Sequence, residues 1–209
     1  MPKKEVPIDH LQQYLPAGTA EAVTNYLQQH KVHLTIARER KSILGDYRHR
    51  THHTNHRISV NGNLNVYSFL ITLLHELAHL LTFEQYGRRV QAHGKEWKMI
   101  YGEMLQQFLQ HKVFPGDIEK ELLRSLKNPA ASSCAEDKLL RVLRNYDNPL
   151  SHHRLVEEIP FNTFFMLKDG RIFQKGEKLR KRYKCKEVST GRLYLFSPVY
   201  EVERVMNSE

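Results

Sequence analysis

Residues 73–102 read LLHELAHLLTFEQYGRRVQAHGKEWKMIYG, and the fold turns on whether this is a metal-binding segment or an ordinary helix that contains histidine. It carries His75, Glu76 and His79, and then His93. Two histidines four residues apart lie on one face of a helix, one turn from each other. Their ring nitrogens can reach a single ion at about 2.0–2.1 Å. Glu76 points to the side, where it can take a proton from a metal-bound water instead of ligating the metal. The pattern therefore supports hydrolysis: the metal acidifies a water, and the glutamate accepts the proton and later returns it to a leaving amine.

At this chain's own His and Glu frequencies, His-Glu-x-x-His is expected by chance about 0.06 times, so the pattern alone is only suggestive. Context strengthens it. NVYSFLITLLHELAHLLTFEQYG (65–87) reads as one long helix with a stop signal at Gly87. Val66, Phe69, Leu70, Leu73, Leu74, Leu77 and Leu81 put apolar groups on nearly every face, which places this helix at the centre of a domain. Imidazoles and a carboxylate buried there need a partner to offset desolvation, and a zinc ion is the simplest one for all three. Satisfied core histidines are the competing explanation; they account for one such residue more easily than for a pair flanking a glutamate.

A catalytic zinc has three protein ligands and one open position. The metzincin pattern would place a glycine and a third histidine where this chain has Thr82 and Gln85. His93 is the better candidate. The chain turns through YGRRVQ (86–91), and His93 is expected to open a second helix over 92–111, folding back on the metal. Gly94 would let the backbone approach closely, and Trp97 would pack in the core.

HELAH (75–79) followed by HGKEW (93–97) resembles the SprT family, whose Spartan-type members are DNA-dependent metalloproteases. The family's pattern is His-Glu-x-x-His followed by His-Gly-x-x-(Trp/Phe), which supplies the third ligand. The resemblance covers roughly residues 20–110, and LGDYR (44–48) is similar to the family's substrate-side sheet. It implies an α+β, zincin-like metalloprotease domain with a central zinc helix and a small antiparallel sheet. It implies one zinc ion on His75, His79 and His93, with Glu76 as general base, in an endopeptidase that acts on DNA-associated proteins, DNA-crosslinked ones included. Two alternatives stay open: a non-catalytic zinc-containing DNA-binding protein, and a general cytosolic metallopeptidase without DNA dependence.

Around this segment, residues 19–30 read as a capped amphipathic helix, and 32–37, 43–50 and 56–60 as strands. HRISVN (56–61) is a candidate sheet edge along which a peptide substrate would lie. Helices are expected over 115–126 and 135–146, then a linker over 146–160. From Phe161 strands alternate with glycine turns, which indicates a small antiparallel β-module. The expected division is 1–150, a SprT-like domain with a helical extension, and 151–209, a small basic module. Many SprT proteins end in a zinc ribbon with two Cys-x-x-Cys knuckles. Here the module keeps only Cys185, and Cys134 lies in the helical region. The module should thus resemble a degenerate ribbon held by packing alone, with Cys185 a buried small hydrophobe.

Lys plus Arg is 32 against 23 for Asp plus Glu, a formal +9 that attracts polyanions. Residues 171–192 concentrate it: Arg171, Lys175, Lys178, Arg180, Lys181, Arg182, Lys184, Lys186 and Arg192, opposed by Glu177 and Glu187. Phe173, Tyr183 and Tyr194 are expected to fill the module's core, leaving the basic residues to meet phosphates. A second basic stretch, Arg38, Arg40, Lys41, Arg48, Arg50 and Arg57, encloses His49, His52, His53 and His56; no spacing organises these into a metal site, so they read as a flexible loop near the cleft. Two cysteines, no signal-like N-terminus and no uninterrupted apolar run long enough for a bilayer point to a cytoplasmic protein without a membrane partner.

Overall fold

The computed structural model describes residues 8–40, 42–126, 128–148 and 154–206; Lys41 and residues 149–153 of the expected linker lie outside them. The chain divides into two compact units, Met1–Asp147 and Asn148–Glu209. Both helices and small sheets are present, so the fold is mixed α+β.

After a 3-10 turn, the first unit runs α1 (Ala20–Gln29), β1 (Val32–Ala37), β2 (Gly45–Arg48), β3 (His56–Asn61), α2 (Val66–Tyr86), α3 (Lys95–Gln110), α4 (Gly116–Ser125) and α5 (Asp137–Leu143). Every residue of α2 from Ser68 to Ala78 is buried. By length and apolarity alone this helix would cross a membrane, contrary to the sequence expectation, yet 72% of its apolar window is buried inside the unit. Its leucines each contribute about 1.5–3 kcal/mol relative to exposure, which offsets the cost of burying polar groups among them. The Asn65 side chain caps α2, accepting from Tyr67 N and Ser68 N, and the backbone leaves it at Gly87 with φ 65°. Thr19 stands before α1, but its hydroxyl donates to Pro16 O at 2.7 Å and does not cap the helix.

The three strands lie in the order β1-β3-β2. β2 pairs antiparallel with β3, but β1 pairs parallel with it, so the sheet is mixed and not antiparallel as expected. The reason is placement: β2 comes between the others in sequence but lies beyond β3 in space. β3 is therefore the central strand, and His56–Asn61 is not an edge. The edge near α2 is β2. Registered rows Leu34–Ile58–Tyr47 and Ile36–Val60–Gly45 form alternate rungs of one sheet face.

In the second unit, β5 (Phe164–Met166), β6 (Ile172–Leu179), β7 (Arg182–Glu187), β8 (Leu193–Phe196) and β10 (Arg204–Met206) form an antiparallel sheet in the order β10-β5-β6-β7-β8. β4 (Arg154–Leu155) and β9 (Glu201–Val202) pair separately. Val156, Ile159, Phe165, Leu167, Phe173, Cys185, Phe196 and Val202 make its core, with Tyr183 and Tyr194 packed against it. The rings thus fill the interior, and Cys185 is a buried free thiol among them.

Candidate metal centre and its cleft

α2 presents His75, Glu76 and His79 from its buried stretch. The following turn brings His93 back, but as part of a turn before α3 and not as the start of that helix, which begins at Lys95 behind the extended cap residue Gly94. Gly94 permits a close approach, though to its own turn: an added Cβ would sit 3.2 Å from Gln91 O.

The three imidazoles converge. His79 Nε2 and His93 Nε2 each lie 3.3 Å from His75 Nε2. One ligand atom from each residue falls within 4.8 Å of the others. Nitrogens bound at about 2.05 Å to one tetrahedral ion stand roughly 3.3 Å apart, so this spacing fits a shared cation. Burial, then the charges of His79 and His93, push the pKa of His75 down to about 3. Burial and His93 push His79 down to about 4. Burial, with Lys98, lowers His93 as well. Neutral rings with lone pairs facing one point are what a metal requires. Trp97, fully buried, forms an apolar floor, its ring 4.7 Å from His75 and 4.8 Å from His93, centroid to centroid. The Nδ1 of His75 is buried without a hydrogen-bond partner among the described residues.

Glu76 is buried beside β2. Burial first, and Asp46 next, raise its pKa to about 8 against the opposing pull of Arg40. A cation on the neighbouring imidazoles would draw it back down.

These groups open into a cleft of about 630 Å³. One wall is Ser42–Tyr47, from β2 and the residues before it; the others include Gly87, Arg88, Val90–His93 and Ala131–Ser133. Positions along α2 match positions along β2. Gly45 abuts Thr72 and Glu76, the Tyr47 ring is parallel to His79 within 3° at 6.5 Å, and His49 stacks on Phe83 at 4.7 Å.

Four features carried no mark of a packing role in the sequence. Gly45 has no local signature, because its constraint comes from the Glu76 side chain. Tyr47 O–H lies 2.9 Å from His56 Nδ1, His56 Nε2 lies 3.5 Å from Glu84 Oε1, and His30 Nδ1 lies 2.6 Å from Glu84 Oε2. His49 and His56 thus belong to packed structure, not to a flexible loop. Arg40, from the second basic stretch, donates to Asn61 Oδ1 at 2.8 Å and Ser59 Oγ at 2.9 Å and so braces β3. Ala131–Ser133 is the fourth; its small residues carry no chemical signal.

In the second unit the basic set divides. Lys175 is buried, its ammonium donating to Glu157 O and Ile159 O and lying 4.1 Å from the Tyr183 ring centroid, so it does not face a phosphate. Burial lowers its pKa. Arg171 pairs with Asp169 at 2.8 Å, and Lys184 lies 3.4 Å from Glu177. Lys178, Arg180, Lys181, Arg182, Lys186 and Arg192 are exposed, the first four on the β6–β7 hairpin around its tip.

A sequence model of the SprT-like family matches residues 12–117, just over half of the chain. Protein SprT of Glaesserella parasuis serovar 5 (strain SH0165) is 64% identical over 31 residues, which are 15% of this chain and 19% of that relative's length. No solved structure matches the chain.

Proposed function

Because the chain belongs to the SprT-like family, we propose that it is a cytoplasmic zinc-dependent endopeptidase of zincin type acting on DNA-associated proteins. The observation that carries the reading is the convergence of three imidazoles, His79 and His93 each 3.3 Å from His75, beside a buried carboxylate at the base of an open cleft. His75, His79 and His93 would hold one zinc ion. Bound there, zinc lowers the pKa of a water toward about 7 and polarises a carbonyl.

The rest is done by the chain. Glu76 accepts the proton of the attacking water and delivers it to the leaving amine. β2, the strand at the cleft, offers its edge to an extended peptide, which would add as a further strand across the histidines. The buried Trp97 ring, packed against His75, His79 and His93, holds the imidazoles in place. The exposed cations of the second unit would recruit DNA, and with it the proteins attached there. That unit would keep a ribbon-like shape by packing without a second metal.

The test is cleavage of a DNA-bound protein, with and without DNA, by the full chain and by Glu76→Gln, with zinc content measured on both. The expected result is one zinc in each, cleavage by the unaltered protein only, and stimulation by DNA. Zinc bound without cleavage under any DNA condition would instead make this a non-catalytic DNA-binding protein. Cleavage indifferent to DNA would make it a general peptidase.

A further inference from the structure

The segment joining α4 to α5 forms a wall of the cleft without belonging to any helix or strand, and it is pinned from several sides. Lys98 Nζ donates to Asn128 Oδ1 at 2.6 Å. The Glu136 carboxylate accepts from Ser125 Oγ at 2.7 Å and from Ala130 N at 3.1 Å. Cys134 adopts φ 57°, the left-handed region that side chains other than glycine rarely occupy. Its thiol is buried against α2, 3.9 Å from Ser68 O and 4.0 Å from Thr72 Oγ1. A residue held in that conformation persists only where its surroundings over-determine it. Here they fix the three residues just before it, Ala131, Ser132 and Ser133, against the cleft.

The place along the cleft follows from α2. Thr72 is one turn before Glu76, and it touches both the Cys134 thiol and the Gly45 position. Tyr47 and His49 lie progressively further along, beside His79 and Phe83. Ala131–Ser133 therefore flanks the Glu76 end, while Arg88, which lies 2.9 Å from His49 Nε2, flanks the other end. Among the described residues, the charged side chains lining the Glu76 end are Glu76 itself and its neighbour Asp46. A peptide lying along β2 would pass one side chain into this space, next to the bond being cut.

We propose that Ala131–Ser133 is the specificity-determining wall of the cleft: its small side chains leave room for one large aliphatic or aromatic residue of the substrate beside the scissile bond. This rests on the endopeptidase reading above. A pocket that accepts extra methylenes discriminates by about 10- to 200-fold, which is the scale expected here.

The probe is a set of labelled decapeptides on an alanine–serine background, each with a single Leu or Phe at a different position, against the peptide lacking it. Cleavage is measured for the full-length protein and for Ser132→Trp and Ser133→Trp. Binding of the same peptides is measured by anisotropy in the Glu76→Gln background, where nothing is cut. The unaltered protein should prefer a bulky residue at one position by tenfold or more in kcat/KM. Within each tryptophan variant the ratio of kcat/KM for the bulky peptide to that for the plain peptide should fall by tenfold or more, with zinc content unchanged. If tryptophan unfolds the chain, Ser133→Val carries the same comparison with a smaller intrusion. A preference unaltered in every folded variant overturns the proposal. Absence of cleavage by the unaltered protein sinks the peptidase reading instead; the wall then stands or falls on whether the variants weaken binding of the bulky peptides.

Discussion

Gly45 shows how a single absent side chain can set the position of a reactive one. It faces α2, and a Cβ there would lie 2.6 Å from Glu76 Oε1, 2.8 Å from Thr72 Cγ2 and 2.9 Å from Glu76 Cγ. The carboxylate can swing away, but the threonine methyl and the glutamate stem cannot without moving the helix. Gly45→Ala should therefore displace Glu76 while leaving the three imidazoles in place. On the endopeptidase reading the expected outcome is unchanged zinc content, a stability loss of about 1–3 kcal/mol from overpacking, and cleavage reduced about 100-fold because the proposed base is misplaced. Cleavage at the unaltered rate would show that the contact restrains nothing. His75, Glu76 and His79 were legible because their relation is local, one turn of one helix. Gly45 was not, because its partner is remote in sequence and the constraint exists only once sheet and helix are packed.

At the scale of elements, α2 is held at its start by one side chain with two jobs. Asn65 Oδ1 accepts from Tyr67 N at 3.1 Å and Ser68 N at 2.9 Å, while its Nδ2 donates to Leu143 O at 3.0 Å and Asp147 Oδ1 at 2.6 Å. The cap of the central helix is thereby tied to the end of α5. Asn65→Ala should cost about 1–2 kcal/mol in urea unfolding. Asn65→Asp keeps the cap acceptor but sets a carboxylate against Asp147, so it should recover little of that loss; full recovery would mean the tie to α5 is unimportant. The helix itself was readable from its apolar run and its terminal Gly87. The strands were readable by alternation, but not their order. β3, which precedes α2, was the candidate edge, and its His56, Ser59 and Asn61 are polar. They are buried all the same, since Arg40 bonds Ser59 and Asn61, Asn61 Nδ2 donates to Ile43 O at 3.0 Å, and Tyr47 reaches His56. Such satisfaction across elements leaves no trace in a strand's own sequence. Likewise α3 starts at Lys95, two residues after His93, because its first turn is set by the Gly94 cap geometry and not by the apolar spacing.

For the whole molecule, a formal charge of +9 matters only through where the charges stand. In the second unit the nine basic residues of 171–192 are not equivalent. Lys175 satisfies the Glu157 and Ile159 carbonyls inside the fold, and Arg171 is held by Asp169 and stacked on Phe173 at 5.5 Å. Arg180, Lys181 and Arg182 stand exposed at the tip of the β6–β7 hairpin, where phosphates can reach them. Each phosphate contact contributes about 0.7–0.9 to the slope of log affinity against log salt. If the second unit recruits DNA as proposed, replacing these three with glutamine in the full chain should lower the magnitude of that slope by up to about 2–3, as read by anisotropy of a labelled DNA over a salt series, and no binding at low salt by the unaltered protein would end that proposal. Lys175→Met should act on stability instead. Removing the donor from two buried carbonyls should destabilise the unit by about 1–3 kcal/mol while leaving the slope unchanged. Equal slopes for the triple variant and the unaltered protein would place the phosphate contacts elsewhere, and the exposed face of the first sheet, with Arg48 and Arg57, would be the next surface to change. A steeper loss from Lys175→Met than from the triple variant would mean that the ammonium leaves its carbonyls to meet DNA, and that the buried position is only its resting one.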